Sequence, residues 1–232
     1  MSPLVAETLQ RLRALADPER ARFGAGYHPT VALVLGVSAP GIQGVARPLR
    51  DRLVGATAPV VVDLASALID TDVFEARQVA TLLLSSHKAT RAGLDLDTVV
   101  TLGQGMDNWV SVDTFGTLVV GAAVRRGTVT VDHLLDWTRS SDLWWRRCAL
   151  VATTGWNKRS YGGRGEVDGT LRVCAALVAD REDLIVKALS WALRELVLWD
   201  PARVRAFLDA QPVAARVRRE VDNKLRTGLK RG

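Results

Sequence analysis

Asp107-Asn108-Trp109-Val110-Ser111-Val112-Asp113 is the stretch from which the rest of the chain can be read. It opens an apolar segment that keeps helical spacing from Asn108 to Arg125. On a helix Trp109 and Asp113 share one face, about one turn apart. Two later segments have the same make-up: Leu143-Trp144-Trp145-Arg146-Arg147-Cys148-Ala149-Leu150, and Lys187-Ala188-Leu189-Ser190-Trp191-Ala192-Leu193-Arg194-Glu195. Each reads as helix and combines tryptophan with a cation or carboxylate. An aromatic plate beside a carboxylate, with arginine near to hold phosphate, suits a cationic, flat, sugar-linked substrate.

Working outward, Leu4 to Leu15 has helical spacing, with Leu9, Leu12 and Leu15 on one stripe. Asp17-Pro18-Glu19-Arg20 predicts a helix start, with Asp17 as N-cap and Pro18 at the first position. Val31 to Val37 is β-branched and, taken alone, could be a short strand. Ser38-Ala39-Pro40-Gly41 opens a helix through Arg50, and Thr57-Ala58-Pro59 starts another. Thr71-Asp72 is expected to cap a segment through Ser86, and Asp95 to Leu102 is a shorter one. Thr130, Ser141-Asp142, Asp180-Arg181-Glu182-Asp183 and Asp200-Pro201 begin further helices. The basic tail from Ala214 to Arg231 reads as helix.

Residues 157–169 break the pattern. This Gly-rich, basic stretch is expected to be an exposed, mobile loop, and it lacks the ending of a nucleotide-binding P-loop. Asp113, Arg147 and Trp191 recur at roughly one helical-hairpin interval, with that loop inserted in the second gap. The expected fold is therefore all-α, as one domain over residues 1–232. It would be a HEAT-like helical-repeat solenoid of antiparallel helix pairs with a concave basic face. A compact helical bundle also satisfies the periodicity.

The 232 residues are 48% hydrophobic, enough for a packed core, and the net charge of +6 points toward a polyanion partner. With aromatics at 6%, the core must be mostly Leu, Val and Ala, which makes seven tryptophans unusual choices. Cys148 and Cys174 form no CxxC pair, and His28, His87 and His133 form no HxxxH pair, so no metal site is expected. The N-terminus lacks a basic and apolar leader, and no window is apolar for long enough to span a bilayer. The expectation is a cytoplasmic protein, nucleoid-associated where the polyanion it binds is DNA, with no membrane partner, and a monomer.

These motifs resemble the AlkD-type DNA alkylation repair glycosylases, which are HEAT-like helical solenoids. The resemblance rests on Asn108-Trp109 with Val112-Asp113, on Trp144 through Arg147 with Ala149, and on Lys187-Ala188 with Trp191, Leu193, Arg194 and Glu195. In weaker form it extends through Asp17 to Ala21, Tyr27 and Leu35-Gly36-Val37. It implies Asp113 as the catalytic carboxylate, Trp109 and Trp191 as the aromatics flanking the damaged nucleotide, and Tyr27 lining the same cleft. It also implies Arg147 on the DNA backbone; Lys187 is a further candidate there. The implied activity is removal of N3- and N7-alkylated purines from duplex DNA, leaving an abasic site, with no metal and no organic cofactor. Two departures stand out. Asn108 and Val110 sit where a second Trp and an Asp often flank Trp109, and the glycine-rich insertion is long.

Two other readings share parts of this pattern. A non-catalytic HEAT-like binder of branched or damaged DNA would share the basic charge, but would gain nothing from a carboxylate facing phosphates. A protein scaffold would not need the basic segments Val45 to Arg52 and Ala214 to Arg231. Trp144 is assigned to the core, and Arg194-Glu195 to a structural pair of charges. Trp137, Trp145, Trp156 and Trp199 receive no role.

Overall fold

The computed structural model describes residues 2–229. The last basic residues of the tail, Lys230 and Arg231, lie outside them. Among the described residues there are helices and no strand, so the chain is all-α. In order these are α1 (Pro3–Ala14), α2 (Pro18–Tyr27), α3 (Ala39–Arg52), α4 (Ala58–Ile69), α5 (Phe74–Ser86), α6 (Lys88–Gly93), α7 (Leu96–Gly103), α8 (Trp109–Phe115) and α9 (Gly121–Arg126). A π-helical segment, Gly116–Val120, lies between α8 and α9. Then come α10 (Val131–Thr138), α11 (Leu143–Asn157), α12 (Val167–Ala176), α13 (Asp183–Leu196), α14 (Pro201–Ala210) and α15 (Ala215–Thr227). Among the described residues no helix is long and apolar enough to cross a membrane.

Local chemistry sets many of the helix starts. Asp17 accepts from the N–H groups of Glu19 and Arg20, with Pro18 at the first position. Ser38, Asp95, Asn108, Thr130, Asp142 and Asp200 cap α3, α7, α8, α10, α11 and α14 in the same way. Four local expectations need correction. Leu15 is the C-cap of α1 and is exposed, so the buried stripe is Val5, Leu9 and Leu12. Thr71-Asp72 caps nothing: α5 starts after Val73, and Asp72 turns the chain at φ 52°. Residues 31–37 form a loop with one parallel bridge, Leu33 to Val73, and Val31 is 97% exposed. Glu182 holds the cap position of α13 without a side-chain bond, while Asp180 pairs with Arg146 at 3.0 Å.

Two compact units result, Met1–Val119 and Val120–Gly232. In the first, α5 is buried nearly all round and packs against α3, α4 and α8. In the second, α11 plays that part, packing against α9, α10, α12 and α13, with α15 on α13. Helices joined by short links, such as α4–α5 and α10–α11, make antiparallel pairs. The second members of the pairs then stack on one another, α3 with α5 and α8 in one unit, and α9, α11, α13 and α15 in the other. Neighbour-on-neighbour stacking of helix pairs is a helical-repeat fold. Glycine permits one close approach of α9 to α11: a Cβ on Gly121 would lie 2.9 Å from the Gly155 Cα.

The basic stretch at 157–169 is exposed but fastened rather than loose. Buried Asn157 donates to Thr153 O and Thr170 Oγ1 and accepts from Glu166 N–H, and its carbonyl takes the Trp199 indole N–H at 3.1 Å. The Arg159 guanidinium lies over the Trp199 ring at 4.6 Å.

Candidate active site

The head of α8 is held by a chain of polar bonds. Asn108 caps the helix on Ser111 N–H at 2.9 Å and donates to Ser111 Oγ and to Asp107 Oδ1. Gln78, on α5, reaches the same Ser111 hydroxyl at 3.1 Å. Asp107 in turn accepts from the Thr30 hydroxyl and the Val31 N–H, both at 2.6 Å. Gln78, Asn108 and Ser111 are all buried, so each bond replaces water that cannot enter. Trp109 and Asp113 therefore project from a helix whose first turn is fixed to α5 and to the loop after α2.

Burial works against the Asp107 charge. The bonds from Thr30, Val31 and Asn108 outweigh it and hold the carboxyl below its ordinary value. The sign follows from linkage: a depressed folded pKa gives stability that is present above the unfolded value, about 3.9. That stability is lost as pH falls through the folded value. Asp107→Asn should thus unfold more easily than the wild type at neutral pH. The two denaturant midpoints should converge in strong acid.

Trp109 is half-buried. Its indole N–H donates to the Tyr27 carbonyl at 3.0 Å, and the Tyr27 ring meets it edge-on, 5.1 Å between centroids at 84°. Tyr27 stacks in turn on Phe23 at 5.6 Å. The structure thus brings Tyr27 and Trp109 into contact, with half-buried Asp113 one turn further along α8. The π-helical segment begins directly after α8, and the Thr117 hydroxyl donates to the Asp113 carbonyl at 2.6 Å. Such segments recur at functional sites. On the adjoining strip of α8, Val110 and Thr114 line a largely apolar cleft of about 370 Å³ with His28, Phe74 and Gln78.

The other three candidates belong to the second unit. Arg147, on α11, is only 5% exposed, and its guanidinium donates to the Leu184 carbonyl at the start of α13. Lys187 and Trp191 are one turn apart on α13. Lys187 is exposed and pairs with Asp183 at 2.6 Å; Trp191 is half-buried. Trp144 is likewise half-buried rather than a core residue. Arg194 faces Glu220 at 3.8 Å and the Ser190 hydroxyl. Burial raises the Glu195 pKa, opposed by Lys158, Lys224 and Arg159.

No local spacing marks Asp107, Gln78 or Glu75: apart from the Asn108 bond to Asp107, their partners lie between 33 and 77 residues away in the chain. The one visible signal is Asn108, a capping residue at the start of the Trp109 helix.

A family model described as DNA alkylation repair enzyme matches residues 8–230. Among solved structures, the chain is similar to one from Enterococcus faecalis described as a predicted DNA alkylation repair enzyme. The identity is 19%, the TM-score is 0.76, and the match covers 91% of this chain and 97% of that one. At that identity the likeness shows a shared fold. No curated protein matches. With nearly the whole chain inside the family model, the protein belongs to the DNA alkylation repair enzyme family.

Proposed function

We propose that this family member is a monofunctional DNA glycosylase. It hydrolyses the N-glycosidic bond of N3- and N7-alkylated purines in duplex DNA and leaves an abasic site. The observation that carries this reading is the aromatic wall of Tyr27 and Trp109 set one helical turn from the Asp113 carboxylate. An alkylated purine carries a positive charge and departs as a neutral base, so its departure needs no proton. Positive charge then develops on the sugar, where a fixed carboxylate stabilises it. Water adds to the anomeric carbon and loses its proton, with Asp113 placed to orient it or accept that proton. Trp109 and Tyr27 would pack against the cationic nucleotide, each contact worth about 0.5–2 kcal/mol, and Trp191, on the second unit, is proposed as a further aromatic contact to the DNA.

Lys187 is proposed to meet the DNA backbone directly, and Arg147, nearly buried, to contribute positive charge from beneath the surface. Lys187 is exposed and can exchange Asp183 for a phosphate. Arg147, fixed on the Leu184 carbonyl, would act as a pre-oriented cation. Lys187→Ala should weaken duplex binding about equally on all sequences. It should also reduce the slope of log affinity against log salt by about 1. Titrations of the wild type and the variant between low and moderate salt check this.

A direct test pits methylated duplex against an unmodified four-way junction. Release of free alkylated purine from the duplex, with an alkali-labile site left behind, supports the glycosylase. Tight junction binding with no release of base would instead establish a non-catalytic DNA-structure binder.

A further inference from the structure

Helix α2 is unusual in what it leaves uncovered. Of its ten residues only Gly24 is buried. Phe23 is 70% exposed and Tyr27 58%. A lone exposed ring is ordinary, but two adjoining exposed rings make a contiguous apolar patch, which marks a contact surface. The Phe23 ring is stacked on Tyr27, 5.6 Å between centroids at 24°. Tyr27 is in turn edge-on to Trp109. Phe23, Tyr27 and Trp109 therefore make one ladder of rings, starting in solvent on α2 and ending a turn away from Asp113 on α8.

The surroundings say what would cover the outer rung. Arg20 and Arg22 stand exposed on the same short helix, Arg20 beside its cap Asp17 and Arg22 on the Pro18 carbonyl. Asp17 and Glu19 sit at the first turn, while Arg20 and Arg22 lead into the two rings; flat rings with arginine on the same helix are complementary to a polyanion that carries flat apolar faces, which is a nucleic acid. A purely apolar partner would have no use for the arginines, and a free phosphate none for the rings. The ladder is also continuous with the Trp109 face assigned above to the damaged nucleotide.

We propose that Phe23 is a nucleotide-contacting residue: stacked on Tyr27, it packs against the deoxyribose of the nucleotide adjoining the lesion, extending the aromatic wall outward from Trp109. This rests on the glycosylase reading for the identity of the inner nucleotide, but its test does not depend on catalysis. The probe is a duplex with a single N7-methylguanine, bound by Asp113→Asn protein so that the base is retained. Adding Phe23→Ala should weaken that binding about tenfold, whereas Phe23→Trp should restore it. A benzophenone side chain placed at position 23 should crosslink to the nucleotides next to the lesion. Unchanged thermal midpoints should accompany these substitutions, because the residue contributes little to the core.

Equal affinity of Phe23→Ala and its parent, with crosslinks absent or spread evenly along the duplex, would overturn the proposal. So would a change from dimer to monomer in Phe23→Ala with DNA binding intact, since that would assign the ladder to a second copy of the chain. Base release by the wild-type protein is measured alongside. If the base is released but Phe23 is silent, this inference alone fails. If no base is released, the failure lies with the glycosylase reading, and the crosslink still reports on Phe23.

Discussion

Asp113→Asn is expected to lower the single-turnover rate of base release by at least about 100-fold, or about 2.7 kcal/mol of transition-state stabilisation. The substitution keeps the shape of the side chain and removes its charge. Trp109, Tyr27 and the bonds that hold the head of α8 are untouched, so the lesion should still be bound. Duplex affinity should be unchanged or slightly tighter, because the lost carboxylate repels phosphate. A variant that loses rate and keeps affinity separates stabilisation of the developing sugar cation from substrate binding. Equal loss of both would make Asp113 a binding residue.

The second large effect is on the frame rather than the chemistry. Glu75→Ala is expected to destabilise the fold by about 3–5 kcal/mol. Glu75 is 1% exposed in the first turn of α5, and its carboxylate accepts three successive backbone N–H groups, from Leu35 at 3.0 Å, Gly36 at 2.7 Å and Val37 at 3.1 Å. Alanine would leave all three donors without an acceptor inside the protein. Gly36 makes the cradle possible: its φ is +80°, and a Cβ there would lie 2.1 Å from the Asp17 carbonyl oxygen. The same loop carries Thr30 and Val31, which bind Asp107 at the head of α8. Loosening it should therefore reduce base release as well as thermal stability. A drop of about 10 °C in the melting midpoint is the expected size for a chain of this length. Glu75→Gln should cost less, since it keeps one acceptor oxygen. Calorimetry of the two variants beside the wild type measures both effects.

Much of the fold could be read from local chemistry. Asp17-Pro18, Asp142 and Asp200-Pro201 announce helices because a cap and its helix are neighbours in sequence. The failures have the opposite character. Asp72 looks like a cap but turns the chain at positive φ, with its carbonyl taken by the Leu33 N–H. The 157–169 stretch looks mobile from its glycines and charges. What fastens it is Asn157 and the ring of Trp199, 42 residues on. The candidate site divides in the same way. Helical spacing puts Trp109 and Asp113 together. The contact of Tyr27 with Trp109 spans 82 residues, and resemblance alone puts Tyr27 in the same cleft. Phe23 carried no signal at all until its exposure and its stacking on Tyr27 were visible.

The most direct test of the central claim is single-turnover release of free 7-methylguanine and 3-methyladenine from methylated duplex DNA, quantified against the abasic sites left behind. One free base for each abasic site, formed by the wild type and lost in Asp113→Asn, is the expected result. Tight duplex binding by the wild type with neither base released would contradict the glycosylase account.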